Sequence, residues 1–405
     1  MLFIKHFSPL FYLLLFTVYS ATSSAADVER LSEMAGDGSV MLRSPDGEEL
    51  VSISPARSLV PASLLKIPLA QVALNTLGED FRFETQFYRN ESGDLLIRGL
   101  GDPFLVSEEL AVIANTLAQQ GLDQIRRIVL DDTAFESNLD LPDESDSLQP
   151  YGAKNSALAI NFNTVNLAWT ASGQLISAES QTPLTPLARE LGAALTPGEP
   201  QRINLGDDPT VGLQQAQQLF IAFFQQAGIT VLDTDFYNEP VNADWTLAYK
   251  HLSSRTLNDN LDGLLRYSNN FIANQLFLTI GAQQKGYPAT VSAARLVLQQ
   301  ELAALYGEGY GRSPDTLFMI EGSGLDRAQK ITGAALMQIL ESFRPYGELL
   351  PEIDGVLRKS GTLTGVYNYA GYIRGASGLH PFVILTNQPA NNRAEILRQL
   401  QRLVE

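Results

Sequence analysis

Ser63-Leu64-Leu65-Lys66 opens a helical stretch, and its reading decides the fold. Pro61-Ala62 precedes it. Leu65, Leu69, Ala73 and Leu77 then recur at four-residue spacing with Val72 beside them, so one helix face is buried, and Gly78 is a natural stop. Pro68 falls inside this pattern; near the first turn it is tolerable, at the cost of a bend or one hydrogen bond. Ser63 and Lys66 are three residues apart and share a helix face. A lysine ammonium is a poor base at its ordinary pKa. Burial beside a second cation lowers that pKa enough for the amine to take a serine proton. Alone, the pair reads more readily as a plain helix cap followed by a solvated lysine, since S-x-x-K occurs by chance in most long chains.

Two further clusters change the balance. In Leu264-Leu265-Arg266-Tyr267-Ser268-Asn269-Asn270-Phe271, a serine and two amides break an otherwise apolar helix or turn. Ser268 is suited to shuttling a proton, and Asn270 to holding Lys66 and a substrate amide. Tyr267-Ser268-Asn269 also reads as Y-x-N with a tyrosine base, and the residues alone leave both readings open. Lys359-Ser360-Gly361-Thr362 precedes a strand pair and supplies the second cation. A strand here can line a cleft edge-on, its lysine and hydroxyls receiving a carboxylate. The N–H groups of Thr362 and Ser63 suit an oxyanion hole, and Gly361 lets a substrate backbone come close. In order, the three clusters match S-x-x-K, S-x-N and K-[ST]-G.

Composition removes rival chemistries. The chain of 405 residues has no cysteine, which excludes thiol catalysis and cysteine-based metal sites. Its three histidines are His6, His251 and His380. His6 falls in the leader, and neither of the others sits in a recognisable catalytic setting, so a serine hydrolase here needs a base other than histidine, with lysine the obvious candidate. No metal-ligand spacing appears, and neither metal nor cofactor is expected. The formal net charge of −17 argues against nucleic-acid binding. Leu10 to Val18 is an apolar run of signal-peptide length, too short for a membrane span, followed by small residues that suit cleavage after Ala25. The expectation is an exported protein, most simply periplasmic, with no integral span and an oligomeric state that the sequence leaves open.

Along the chain, Val40-Met41-Leu42 and Leu50-Val51-Ser52-Ile53 flank Pro45-Asp46-Gly47 as a hairpin. From Phe81 to residue 204 the texture is strand-rich, with one helix from Ser107 to Gly121 and turns such as Gly101-Asp102-Pro103. Helices are expected at 210–227, 258–280, 290–306 and 332–343, with a flexible connection at Gly307 to Gly311. Val366 to Arg374 and Phe382 to Thr386 read as adjacent antiparallel strands, followed by an amphipathic helix that carries Ile396, Leu397 and Leu400 and packs on the sheet. The expected fold is α+β: a transpeptidase-like domain from residues 26–80 and 205–405, interrupted by a β-rich insert at 81–204, after a leader at 1–25. A sheet made from both chain ends would unite Ser63 with Lys359.

With these residues in place, the chain resembles the D-alanyl-D-alanine carboxypeptidase/endopeptidase family of penicillin-binding protein 4 type. Pro61-Ala62-Ser63, Gly101-Asp102-Pro103, Ser156-Ala157-Leu158, Asn161-Phe162-Asn163, Gly322-Ser323-Gly324-Leu325 and Gly365-Val366-Tyr367-Asn368-Tyr369-Ala370-Gly371-Tyr372 carry the resemblance beyond the three clusters. It implies a serine β-lactamase/DD-peptidase-like fold. It implies an acylated Ser63 with Lys66 as base, Ser268 and Asn270 as second motif, and Lys359, Ser360, Gly361 and Thr362 as third. It favours the Ser268 register over Y-x-N. It implies peptidoglycan stem peptides as substrates and β-lactams as covalent inhibitors. Asn269 and Ser360 stand where Asp and Thr are common. The rivals are a catalytically weak wall-binding protein on the same fold and a serine β-lactamase, for which no added glutamate base stands out.

Overall fold

Pro45-Asp46-Gly47 turns the chain back on itself, Gly47 taking φ +91°, and the strands it joins begin a sheet that the far end of the chain completes. The protein is described here by a computed structural model covering residues 25–142 and 148–404. The leader expected at 1–25 therefore lies outside the described residues apart from Ala25. Helix α1 (Ala25–Ala35) leads into β1 (Ser39–Arg43), β2 (Glu49–Ile53) and the short β3 (Ser58–Leu59). A 3₁₀ turn, Ala62–Leu65, runs directly into α2 (Lys66–Leu77), which stops at Gly78 with φ +83°. Pro68 sits in the first turn of α2, where a proline is tolerated.

The middle of the chain forms β4 (Glu84–Arg89), β5 (Leu95–Gly99), α3 (Ser107–Gln119), β6 (Gln124–Asp131), β7 (Thr164–Trp169), β8 (Leu175–Ser177), α4 (Pro186–Ala193), β9 (Gln201–Asn204), α5 (Pro209–Gln226), β10 (Thr230–Asp233) and β11 (Thr246–Leu252). Five of these strands pair in the order β10-β6-β5-β4-β11, and three in the order β8-β7-β9. The parallel pairing of β5 with β6 needs a crossover, and α3 supplies it. Helix α5 turns Phe220 onto Phe87 of β4, ring centroids 6.2 Å apart, and shares a buried apolar cluster with α3. The expected return to the transpeptidase-like part at residue 205 thus falls inside a layered unit that continues through β11. An amphipathic stripe such as that of α5 announces a buried face but not which sheet it covers.

The rest of the chain is α6 (Leu257–Tyr267), α7 (Asn270–Lys285), α8 (Val291–Tyr306), β12 (Tyr310–Gly311), β13 (Leu317–Phe318), β14 (Lys330–Thr332), α9 (Gly333–Phe343), β15 (Glu352–Ile353), β16 (Val356–Leu363), β17 (Val366–Gly375), β18 (Gly378–Leu385) and α10 (Arg393–Arg402). Thr256 and Asp259 form a capping box at α6, and Thr290 and Thr332 cap α8 and α9. The helix expected over 258–280 is two helices, split at Ser268-Asn269. The connection expected to be flexible at Gly307 to Gly311 ends in β12, within a small sheet ordered β12-β13-β14-β3.

Both chain ends meet in an antiparallel sheet ordered β15-β16-β17-β18-β1-β2. One face buries Leu31 of α1 and Ile396, Leu397 and Leu400 of α10, so the last helix packs on the sheet as its stripe indicates. The other face, with Met41, Ala370 and Val383, joins the large core made by α2, α6, α7, α8 and α9. The hairpin, the sheet from both ends and the helical layer are the expected α+β architecture. Among the described residues, no helix is long and apolar enough to cross a membrane.

Candidate active site

The helix that begins with Lys66 is driven into the core by Leu64, Leu65, Ile67, Leu69 and Ala70, all without exposed surface. Lys66 goes with them and is itself 0% exposed. Its ammonium nitrogen is 3.0 Å from Ser63 Oγ, 2.9 Å from Asn270 Oδ1 and 2.5 Å from the Ser323 carbonyl oxygen. Burial pushes the Lys66 pKa well below its ordinary value, and the nearby Lys359 charge lowers it further, against a smaller opposing pull from Glu321. The residue before Ser63, Ala62, takes φ +51°, a left-handed conformation that costs a residue with a Cβ roughly 1 kcal/mol or more. Contacts on several sides hold it there. Asn368 Nδ2 donates to the carbonyls of Val60 and Pro61, both at 3.0 Å, while Asn387 Oδ1 accepts from Val60 N–H at 2.7 Å. Gly324 lies so close that a Cβ there would stand 2.2 Å from the Ala62 oxygen.

The second cluster occupies the break between α6 and α7. Ser268 ends α6 in the left-handed region, φ +54° and ψ +35°, and its Oγ accepts from Lys359 Nζ at 2.6 Å. Asn269 is the N-cap of α7, its side chain accepting from Ile272 N–H. That is a physical reason for the tolerance of either Asn or Asp at this position. Asn270 is then the first residue of α7 and faces Lys66. Tyr267 is 76% exposed, and it is Ser268, not Tyr267, whose oxygen reaches a lysine of the site.

The third cluster lies on β16. Alternation along the strand buries Lys359, 1% exposed, with Gly361 on the same side, and leaves Ser360 and Thr362 on the other. Burial lowers the Lys359 pKa from 10.5 to about 7. β15 pairs only with Val356 and Leu357, so the following stretch of β16 presents an edge on that side among the described residues. Gly361 was expected to admit a substrate backbone. The close neighbour is the chain itself, since a Cβ at 361 would lie 2.4 Å from the Pro61 oxygen and 3.3 Å from Leu64 N. The glycine lets β16 lie against the turn that carries Ser63. The structure thus forms two hydrogen-bonded sets, Ser63–Lys66–Asn270 and Ser268–Lys359, close enough that the Lys359 charge is felt at Lys66, with Ser360, Gly361 and Thr362 on the same strand as Lys359.

Sequence reasoning missed several residues here. Glu321 is fully buried, and its oxygens accept from the N–H groups of Ser323 (2.5 Å) and Gly324 (2.8 Å) and from Gln329 Nε2 (2.6 Å). It shapes the turn whose Ser323 carbonyl meets Lys66. Asn274 braces the same turn through Gly322 N–H at 2.9 Å. Gly322-Ser323-Gly324-Leu325 marked this turn only as a signpost, and the acid immediately before it carries no local sign of its burial. The two histidines among the described residues make their contacts elsewhere: His251 with Glu109 at 2.7 Å, and His380 with the Gly378 carbonyl at 3.1 Å. Beside Asn270, a cavity of about 440 Å³ opens between Asn274 and Leu325 on one side and Tyr151, Lys154 and Asn155 on the other. No group of His, Asp or Glu able to hold a metal occurs among the described residues.

A serine against a buried lysine, with a second buried lysine on a sheet edge, fits the class of serine-type peptidases. The chain matches the D-Ala-D-Ala carboxypeptidase 3 (S13) family over residues 21–189 and 210–351, more than half of its length. It belongs to that family and is a serine-type peptidase. A D-alanyl-D-alanine carboxypeptidase of Actinomadura sp. (strain R39) is 28% identical over 430 residues, covering 88% of this chain and 78% of that protein. D-alanyl-D-alanine carboxypeptidase DacB of Haemophilus influenzae is 21% identical, covering 86% and 85%. The crystal structure of penicillin binding protein 4 from Haemophilus influenzae shares the fold, with a TM-score of 0.72 over 93% of this chain and 97% of its own at 21% identity. So does a penicillin G-acylated predatory endopeptidase from Bdellovibrio bacteriovorus, solved with an immunity protein, at a TM-score of 0.50 and 15% identity over 90% of each chain.

Proposed function

We propose that the chain is a serine DD-peptidase of peptidoglycan stem peptides, acting through a Ser63 acyl-enzyme, and that penicillin acylates the same serine. The observation that carries this reading is the three-way contact of Lys66 with Ser63, Asn270 and Ser323. A neutral amine has two N–H groups and one lone pair. Asn270 Oδ1 and the Ser323 carbonyl can only accept, so they take the two N–H groups, and the lone pair is left for the Ser63 hydroxyl proton. The depressed pKa of Lys66 makes that neutral form available.

In the proposed reaction, Lys66 Nζ takes the proton as Ser63 Oγ bonds to the carbonyl carbon of the penultimate D-residue. The C–N bond to the terminal D-alanine, or to a cross-linked D-centre, then breaks. Its nitrogen receives a proton through Ser268 Oγ, which Lys359 Nζ contacts at 2.6 Å. Water attacks the ester, returns a proton to the site and frees Ser63. The N–H groups of Ser63 and Thr362 hold the oxyanion. Ser360 and Thr362 receive the substrate carboxylate, and the cavity beside Asn270 takes the stem peptide. A location outside the inner membrane, most simply the periplasm, follows from the leader pattern and the substrate.

A peptidase is favoured over a β-lactamase because Glu321, the acid nearest Lys66 in electrostatic effect, has both oxygens engaged by the 323–324 turn and Gln329, which leaves it no role as a water-activating base. The test is intact mass after incubation with a fluorescent penicillin, together with D-alanine release from a pentapeptide, for the wild type and Ser63→Ala. Wild type alone should carry a long-lived adduct and release D-alanine. A folded wild type that does neither would make the chain a wall-binding protein, and rapid loss of the adduct would make it a β-lactamase.

A further inference from the structure

Arg393, the first residue of α10, donates from Nη1 to Thr362 Oγ1 at 2.6 Å. The guanidinium lies over Tyr369, 4.5 Å from the ring centroid, and reaches Tyr367 at 6.0 Å. Arg358 also packs on Tyr369, at 4.9 Å. The acid on the same helix, Glu395, is engaged by Arg30 and Arg398. Among the described residues, Arg393 has no carboxylate partner, so its positive charge stands uncompensated at the end of the third motif. The sequence reading gave it no role.

A hydroxyl has one proton and two lone pairs, and a guanidinium only donates. Once Thr362 Oγ1 accepts from Arg393, its own proton must point elsewhere. Thr362 is exposed, on the opposite side of β16 from Gly361, in the stretch that β15 leaves as an edge. The open direction for that proton is outward from this edge. Two effects then act at one place: a hydroxyl oriented to donate and a fixed positive charge behind it. A group that rewards both is a carboxylate.

We infer that Arg393 is a positioning residue that makes this site selective for substrates ending in a free carboxylate, acting through the Thr362 hydroxyl. The inference rests on the peptidase reading and adds to it what sets the preference at the leaving end. Its removal should cost carboxylate-ended substrates far more than blocked ones.

The test compares kcat/KM for an acyl-D-Ala-D-Ala peptide and its C-terminal carboxamide, in the wild type, Arg393→Ala, Thr362→Val and the double variant. Arg393→Ala should lose about tenfold or more on the free acid and less than about twofold on the amide. In the Thr362→Val background, Arg393→Ala should add little, because the two residues act as one unit. Equal losses on both substrates, or additive losses in the double variant, would overturn the inference. Arg393→Met keeps the alkyl stem over the tyrosines and replaces the alanine variant should that one fold poorly. If the wild type neither takes the penicillin label nor releases D-alanine, it is the peptidase reading that fails. If it does both while the acid-to-amide preference survives in Arg393→Ala, only the role of Arg393 fails.

Discussion

Lys359 Nζ and Ser268 Oγ lie 2.6 Å apart, joining a sheet strand to the break between two helices across 91 residues of sequence. The contact ties the proton-shuttling hydroxyl to an amine whose pKa is lowered to about 7 by burial. The pH profile of acylation should therefore be bell-shaped. The rising limb reports deprotonation of the base, Lys66, and the falling limb reports loss of the charge on Lys359. The two limbs belong to a coupled pair and are read as macroscopic values. In Lys359→Arg the falling limb should leave the accessible range, because a guanidinium does not titrate there. Stopped-flow acylation by a chromogenic β-lactam between pH 5 and 10 tests this, and an unchanged falling limb in the arginine variant would remove Lys359 from the assignment.

The same burial has a consequence for stability, and its sign can be worked out. Lys359 titrates near 7 when folded and near 10.5 otherwise. Between those values the unfolded chain holds a proton that the folded chain has released, so the Lys359 contribution to stability rises with pH across that window. Lys359→Met abolishes this term. Melting temperatures at pH 7 and pH 9.5 should show the wild type gaining on the variant as pH rises. A difference that stays flat, or runs the other way, would mean that burial does not lower the pKa of this lysine.

Much of this was legible in the sequence because the chemistry needs particular side chains at short spacing. Ser63 with Lys66, Ser268 with Asn270, and Lys359 with Gly361 are local patterns, and their order along the chain is informative. The hairpin at Pro45-Asp46-Gly47 and the stripe of Ile396, Leu397 and Leu400 were readable from turn chemistry and periodicity. What stayed hidden depends on contacts between distant segments. Glu321 looks like any acid before a glycine turn until Lys66 is beside it. Arg393 looks like a surface residue until Thr362 meets it. The return of β10 and β11 to the sheet of β4, β5 and β6 was hidden because no local pattern names a strand's partner. At Gly361 the sequence suggested a close approach, and the neighbour that the fold places against it, the Pro61 carbonyl, is distant in sequence.

That neighbour supports a sharp prediction. A Cβ at 361 would meet the Pro61 oxygen at 2.4 Å; the Cβ position is fixed by the backbone and the oxygen belongs to it, so neither can swing aside. Gly361→Ala must push β16 away from the Ser63 turn. The expected cost is about 1–3 kcal/mol of stability, with a loss of acylation of roughly a hundredfold or more, since small misplacements at a reacting centre are amplified. Gly365→Ala is the control. Gly365 takes φ +74° with nothing within 4 Å of an added Cβ, so it should lose about 1 kcal/mol from backbone strain alone and keep its acylation rate. Comparable acylation losses in both variants would show that the approach of Gly361 to Pro61 is not what positions Ser63.

Glu321 offers a test that separates charge from shape. Its carboxylate is the anion that partly offsets the downward shift of Lys66, and its oxygens also accept from two backbone N–H groups of the 323–324 turn. Glu321→Gln removes the charge and turns one acceptor into a donor facing an N–H. With the anion gone, the pKa of Lys66 should fall further, so the rising limb of the acylation profile should move to lower pH. The maximal rate should drop at the same time by roughly tenfold or more, because the turn that presents the Ser323 carbonyl to Lys66 loses a charge-assisted hydrogen bond. A lower rate with the limb unmoved would make Glu321 a support for the turn without electrostatic influence on the base. A limb moved to higher pH would contradict the placement of Glu321 beside Lys66, because no removal of a nearby negative charge can make an ammonium harder to deprotonate.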